Sequence, residues 1–340
     1  MSRPAKRNAE PFQTFVGEAG SSEQEALERP WLLLEVTRRC NFRCVYCYST
    51  QSHDDEELTV EQLERILTRV TADVIPRGVT LIGGEPLLVS AVVDLVHCIH
   101  ARGIVTSIST KGSTLDEPTI RRLKAAGLQA IEISLDTTDP AIYARVTGTP
   151  MARMQSKLAE LVQSGLFVTV GVMLTRLNLA QLEPLLKLCF ALGVKRISLN
   201  QLAEVGCGFV NRSIGLTDDE LADALDRANV CAQSLGLRVG VGLPVEPCRL
   251  NHARYPALEF EACRCGEHKW LIEPNGNVRT CELSPNSVGN TLRDSWSEIV
   301  TSVAAQEFRA QKLNGSCSTC EHWPLCRGGC RFRCLEGHAH

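Results

Sequence analysis

The sequence predicts an α/β protein whose parallel strands form either a barrel or an open sheet, followed by a smaller cysteine-rich domain. Three observations carry this reading. Six short apolar runs alternate with segments of helical apolar spacing between residues 31 and 235, and strands joined through helices pair in parallel with right-handed crossovers. Six units are too few for a closed eight-stranded barrel. Three cysteines stand directly behind the first apolar run, at the strand end where parallel α/β folds place their chemistry. From Pro244 and Pro247 onward the composition shifts, and nine of the sixteen cysteines lie between Cys248 and Cys334. The expected division is a polar arm over 1–30, an α/β domain over 31–243 and a cysteine-rich domain over 244–340.

Trp31-Leu32-Leu33-Leu34 and Val36 form the first buried strand. Beyond the cysteine loop, an acidic run from Asp54 to Glu57 precedes Thr59, and Leu63, Ile66, Leu67 and Val70 recur at helical spacing, so a helix starts near Thr59. Val79 to Ile82 is a short strand ending in Gly83-Gly84-Glu85-Pro86, and Val92, Val93, Val96 and Ile99 mark the next helix. The alternation continues with a strand over Ile104 to Ser109, a helix over Glu117 to Ala126 and a strand over Ala130 to Leu135. A helix over Met151 to Ser164, a strand over Phe167 to Leu174, a helix over Leu179 to Leu192 and a strand over Arg196 to Leu199 follow. A last helix runs from about Thr217 to Leu235. In the cysteine-rich part, Asn275-Gly276-Asn277 between Ile272 and Val278 is a hairpin turn, which brings Cys265 and Cys281 together across a two-stranded ribbon.

With 340 residues, 44% of them hydrophobic, the chain can bury a sizeable core. A net charge of -3 offers no basic footprint for nucleic acid, and no apolar run is long enough to span a bilayer. The first 30 residues carry no apolar h-region and are too polar to build a core. The cysteines cluster at metal-ligand spacings, unlike those of a small disulfide-bonded secreted domain, so a soluble protein of the reducing cytoplasm is expected. Cys98, Cys189 and Cys231 are different: they sit in or beside apolar stripes and are read as small buried hydrophobes.

The loop Arg38-Arg39-Cys40-Asn41-Phe42-Arg43-Cys44-Val45-Tyr46-Cys47-Tyr48 carries chemistry. Three cysteines at C-x3-C-x2-C can hold three corners of a cubane iron-sulfur cluster and leave the fourth for a ligand. A structural zinc site wants four closed ligands, usually as two pairs, and here a lone trio stands far from any other cysteine in sequence. With aromatic Tyr46 before the last cysteine, the motif resembles the signature of the radical S-adenosylmethionine (SAM) superfamily. The resemblance implies a partial (β/α)6 barrel, a four-iron cluster on Cys40, Cys44 and Cys47 whose open iron chelates SAM, and reductive cleavage of SAM to a 5′-deoxyadenosyl radical.

Other strand ends fit the same resemblance. Gly83-Gly84-Glu85-Pro86 resembles the family's GGE turn, where bare glycines let the backbone approach a ligand and the acidic side chain meets the SAM amino group. Ser109-Thr110-Lys111-Gly112 stands where many relatives have a Thr-Asn-Gly turn, from which Lys111 departs. Ser134-Leu135-Asp136 and Arg145-Val146-Thr147-Gly148 resemble the elements that put Ser134 and Arg145 near the SAM ribose or carboxylate, while Asp136 reads equally as a helix cap. Asn178 and Asn200, at later strand ends, are candidates to line the pocket.

The second array, Cys265-x10-Gly276-x4-Cys281 then Cys317-x2-Cys320-x5-Cys326-x3-Cys330 and Cys334, resembles the SPASM domain of peptide-modifying radical SAM enzymes. The resemblance implies two auxiliary four-iron clusters, one on Cys317, Cys320, Cys326 and Cys334 and one on Cys265, Cys281 and Cys330. The fourth ligand of the latter is Cys263 or Cys248, or its iron is open to substrate. Paired zinc knuckles suit C-x2-C but not the C-x5-C-x3-C continuation.

The implied activity is hydrogen abstraction from a residue of a ribosomally made peptide, either oxidative or redox-neutral. The alternatives are oxidation or epimerisation of a small metabolite such as a sugar or tetrapyrrole and, from another class, a non-catalytic iron-sulfur carrier, against which the SAM motifs argue. An electron donor such as flavodoxin or ferredoxin is expected. Thirty polar residues are too few for a leader-binding domain, so a peptide substrate needs a separate recognition protein or direct binding. Two residues are singled out as catalytic. Glu282 follows Cys281, and the resembling sulfatase-maturing enzymes place a proton-accepting carboxylate there; burial is expected to raise its pKa toward working pH. Cys207, in the Gly206-Cys207-Gly208 loop, is the hydrogen donor that an epimerisation would require.

Overall fold

The structure, a computed structural model, describes residues 29–49, 56–151, 153–311, 317 and 319–332. The polar arm but for its last two residues, Asp54 and Asp55 of the acidic run, and Cys334 lie outside the described residues.

Trp31–Glu35 (β1), Gly78–Ile82 (β2), Val105–Thr110 (β3), Ala130–Ser134 (β4), Phe167–Leu174 (β5) and Arg196–Gln201 (β6) are the six expected strands. Each pairs with the next in parallel. The helices between them are Val60–Asp73 (α1), Val92–His100 (α2), Glu117–Ala125 (α3), Pro140–Thr147 (α4), Met154–Gln163 (α5) and Leu182–Leu192 (α6). A four-residue turn of helix, Cys207–Val210 (α7), and Asp218–Leu235 (α8) complete this part. Thr59 and Thr217 cap α1 and α8 through capping boxes with Gln62 and Glu220, which is why both helices begin where the sequence predicts.

Two departures are local. The single helix expected over Met151 to Ser164 is preceded by a second one, α4, whose signals are a capping Asp139, Pro140 in the first turn and Gly148 in the left-handed conformation at its end. The parallel sheet also continues past six strands through Val239–Val241 (β7) and Leu258–Phe260 (β8), each three residues long and too short to read from periodicity. The expected boundary at 243/244 thus falls between two neighbours in one sheet.

The cysteine-rich part joins the other edge. Lys269–Ile272 (β9) pairs in parallel with β1, and Asn277–Arg279 (β10) and Ser287–Asn290 (β11) follow antiparallel. The whole sheet runs β11-β10-β9-β1-β2-β3-β4-β5-β6-β7-β8. The expected hairpin is present: Gly276, at φ +84°, makes the turn that an L side chain would strain. Trp296–Val300 (α9), Val303–Ala310 (α10) and Trp323–Cys326 (α11) complete the described chain.

Alternation along the strands sorts the two faces. Leu32, Leu34 and Val36 join the main core under the helices, while Trp31 and Leu33 pack with Ile82, Ala130 and Leu271 on the inner face of the partial barrel. At that inner floor Gly78 is required, because a Cβ there would sit 2.4 Å from the Trp31 ring. Above the floor the inner face turns polar. Trp31 Nε1 donates to Thr80 Oγ1 (2.8 Å), Ser109 donates to Glu132 (3.0 Å), and Arg196 pairs with Glu261 (2.8 Å). Buried apolar floor and polar rim together direct chemistry to the carboxyl ends of the strands. Cys98, Cys189 and Cys231 are buried on the helical side, as their apolar surroundings predict.

Candidate functional site

The three-cysteine loop leaves β1 and is gripped from two sides. On one side Gly84 N donates to Thr37 O (2.7 Å) and Glu85 N to Arg39 O (2.8 Å). A Cβ on Gly83 or Gly84 would lie 2.2 Å from Thr37 O or Arg39 O respectively, so the missing side chains admit the protein's own loop backbone. On the other side Arg43 N donates to Thr147 O (2.7 Å) and Val45 N to Val146 O (2.9 Å), so the end of α4 braces the loop through its main chain. The Arg145 side chain itself is exposed on α4.

Glu85 does not present a free carboxylate. It is 1% exposed and accepts from Thr110 Oγ1, from Lys111 N (2.9 Å) and from Leu87 N (3.1 Å), so it ties the end of β2 to the end of β3. Burial pushes its carboxyl above the usual range against these donors. Asn178, a candidate to line the pocket, is instead buried, donating to Asp136 O and Met173 O (both 2.8 Å) and locking the ends of β4 and β5. Ser134 and Asn200 are half-buried at the ends of β4 and β6.

Cys40, Cys44 and Cys47 share this one loop. Phe42 N points at Cys40 Sγ (3.4 Å), a donor suited to a thiolate. Burial pushes the Cys44 thiol up to about 12 and raises Cys40 and Cys47 as well, so holding these groups as thiolates calls for a cation between them. The irons of a cluster meet that need, and the donor set fits one. Cys207 opens α7 directly against this loop: its N–H donates to Cys47 O (2.8 Å), and Gly206, at φ +58°, leaves no room for a Cβ beside Cys47 O and Tyr48 O.

Across the inner face, the hairpin brings the expected pair together. The ligand atoms of Cys265, Cys281 and Glu282 all lie within 4.8 Å of one another, and Leu283 N points at Cys281 Sγ (3.4 Å). Cys263 is hydrogen-bonded to Cys265, whereas Cys248 is exposed and lies near Cys326. Of the two candidates for a fourth ligand, it is Cys263 that stands with Cys265 and Cys281. Cys330 is buried, and Cys317, Cys320 and Cys326 are half-buried in the C-terminal turns.

Glu282 is partly exposed and paired to Lys269 Nζ (2.9 Å). Burial pushes its carboxyl up, but the charge and hydrogen bond of Lys269, together with hydrogen bonds from its own backbone and from Cys281, outweigh this and hold it below the usual carboxylate range. The expectation of a raised pKa is therefore corrected, and the physical reason is a lysine whose inward placement on β9 was not read from the sequence. Tyr48, next to Cys47, is pushed up by burial and by the charges of Glu282 and Glu35, so the loop and the hairpin face one interior. Arg38 joins them structurally, donating to Glu35 (3.2 Å) and Glu273 (2.9 Å), while Arg279 pairs with Glu273 (3.1 Å).

The model of the Radical SAM superfamily matches residues 34–189, and that of SPASM, an iron-sulfur cluster-binding domain, matches residues 263–321. Among curated proteins, the chain is 29% identical to PqqA peptide cyclase of Methylocella silvestris, covering 91% of this chain and 85% of that protein. It is 27% identical to pre-heme d1 synthase of Dinoroseobacter shibae, covering 91% and 83%. Among solved structures, Streptococcus suis SuiB bound to precursor peptide SuiA superposes with a TM-score of 0.74 at 20% identity, covering 89% of this chain and 72% of that one. anSMEcpe with bound AdoMet superposes at 0.70 and 18% identity, covering 89% of each. Both structures share the fold.

Proposed function

The chain belongs to the radical SAM superfamily and is a radical SAM enzyme with a SPASM domain, and from that premise we propose that it abstracts hydrogen from a residue of a ribosomally made peptide and so modifies it. The observation that carries the reading is the approach of two cysteine sets, the β1 loop and the hairpin pair with Glu282, to one inner face of one sheet. Its peptide character is supported by the relatives named PqqA peptide cyclase and by the shared fold of SuiB, solved with its precursor peptide.

When bound, a four-iron cluster and SAM supply one-electron cleavage to a 5′-deoxyadenosyl radical. In this proposal Cys40, Cys44 and Cys47 ligate that cluster, and the Gly83-Gly84 backbone and Ser134 border SAM. Arg145, with Ser134, lies near the SAM ribose or carboxylate. Cys263, Cys265 and Cys281, with Cys330, hold one auxiliary cluster, and Cys317, Cys320, Cys326 and Cys334 hold the other, with Cys248 beside Cys326 in reserve. Glu282, kept ionised by Lys269, accepts a proton from the substrate in an oxidative reaction. Cys207 returns hydrogen in a redox-neutral one. A small flavin or iron-sulfur protein delivers the electron, and a separate protein or the inner face itself recognises the peptide.

Anaerobically reconstituted protein should carry about 12 irons if three four-iron clusters form. Replacing Cys40, Cys44 and Cys47 with Ala should remove about a third of the iron and all release of 5′-deoxyadenosine. Release that persists in this variant would overturn the assignment. Turnover against candidate peptides, read by mass, tests the substrate. The resemblance to pre-heme d1 synthase favours a second reading, a tetrapyrrole side chain, and the same assay with tetrapyrroles decides between them.

A further inference from the structure

Beneath the cysteine loop lies a lysine that none of the roles above uses. Lys111, the residue after β3, is 9% exposed. Its ammonium donates to Tyr46 Oη (2.8 Å) and pairs with Asp136 Oδ2 (3.4 Å). It also stands 5.4 Å from the centre of the Tyr46 ring and 6.0 Å from that of Phe42, the two aromatic residues set among the three cysteines. Tyr46 Oη donates to the same Asp136 oxygen, and the other oxygen of Asp136 accepts from Met173 N (2.8 Å). The lysine's main chain is fixed too, since its N–H donates to Glu85 (2.9 Å). Strand ends β1 to β4 therefore converge on one residue.

A buried cation placed this way has two physical consequences. It holds the Tyr46 ring, and with it the last turn of the loop, in a single orientation. It also sets a fixed positive charge in a low-dielectric place where screening by water is weak. Asp136 partly cancels that charge, but its Oδ2 also accepts from Tyr46 Oη and its Oδ1 from Met173 N. A cluster held by three thiolates gains negative charge on reduction by an external one-electron donor, so a cation beneath it favours the reduced state.

We infer that Lys111 is a positioning residue that clamps Tyr46 to Asp136 and, by its charge, raises the reduction potential of the cluster held by Cys40, Cys44 and Cys47. This rests on the reading of that loop as a cluster site.

The test is a redox titration of the reconstituted full-length protein without SAM, followed by electron paramagnetic resonance. The loop cluster is the signal lost when Cys40, Cys44 and Cys47 are replaced by Ala. Lys111→Met should keep iron and lower the midpoint of that signal by about tenfold in the reduction equilibrium, roughly 59 mV for one electron. Lys111→Arg should stay near the wild type. An unmoved midpoint in Lys111→Met with full iron would overturn the inference, as would an equal fall in Lys111→Arg, which would make shape and not charge responsible. If Lys111→Met loses the cluster, Asp136→Asn decides: removing the counter-charge should raise the midpoint, and no rise sinks the proposal. Iron retained in full by the triple cysteine variant would instead defeat the underlying reading of the loop.

Discussion

Glu282 and His268 illustrate how a neighbour's charge decides what a side chain can do. The Lys269 ammonium helps hold Glu282 below the ordinary carboxylate range, so at neutral pH it is ionised and can accept a proton, but as a weaker base than a free carboxylate. Glu282→Gln should still cleave SAM and yet lose most product; wild-type product yield from that variant would end its role as a base. His268 is 8% exposed, and burial together with Arg264, Arg77 and Arg327 depresses its pKa from 6.5 to about 4. A folded-state pKa below the unfolded one gives stability that is present above pH 6.5 and lost as pH falls through 4, worth about 3 kcal/mol. His268→Gln should flatten the fall in melting temperature across that window, with iron content followed in parallel. An unchanged slope would show that other groups carry the acid limb.

Among the elements, α4 matters through its end. Gly148 is left-handed at φ +68°, and a Cβ there would lie 2.8 Å from Arg43 Cβ in the cysteine loop. Gly148→Ala should cost about 1–2 kcal/mol from the backbone alone. The clash should also loosen the brace that Val146 and Thr147 provide, and iron bound at the loop should fall while the auxiliary iron stays. Full iron with an unchanged melting temperature would mean that the brace yields easily. The hairpin of β9 and β10 plays the matching part for the other cysteines, because its tight turn determines that Cys265 and Cys281 meet.

At the scale of the molecule, the cysteine-rich part is built onto the barrel. β9 continues the sheet from β1, Trp270 meets Trp296 edge to face at 5.7 Å, and Trp296 N donates to Asp73 of α1 (2.7 Å). Arg69 of α1 donates to the Thr291 and Arg293 carbonyls. Burial of Trp296 across this seam implies that both parts unfold together. Trp296→Ala should cost about 3–5 kcal/mol and lower one shared transition seen by tryptophan fluorescence and circular dichroism. Two separated transitions in the wild type would contradict the coupling. Among the described residues no helix is long and apolar enough to cross a membrane.

Sequence alone determined the parts of this protein whose signals are local. Helical spacing placed α1 and α8, short apolar runs placed β1 to β6, and fixed cysteine spacings marked the loop and the hairpin pair, because each signal lies within a few consecutive residues. Tertiary structure decided everything that depends on residues far apart in the chain. It paired β9 with β1, filled the bare face of Gly84 with the backbone of Arg39, and set Lys269 against Glu282. It also made Glu85 and Asn178 buried ties between strand ends. Lys111, Tyr46 and Asp136 come from three different strand ends, and only the convergence of those ends at one rim brings a cation beneath the cysteine loop.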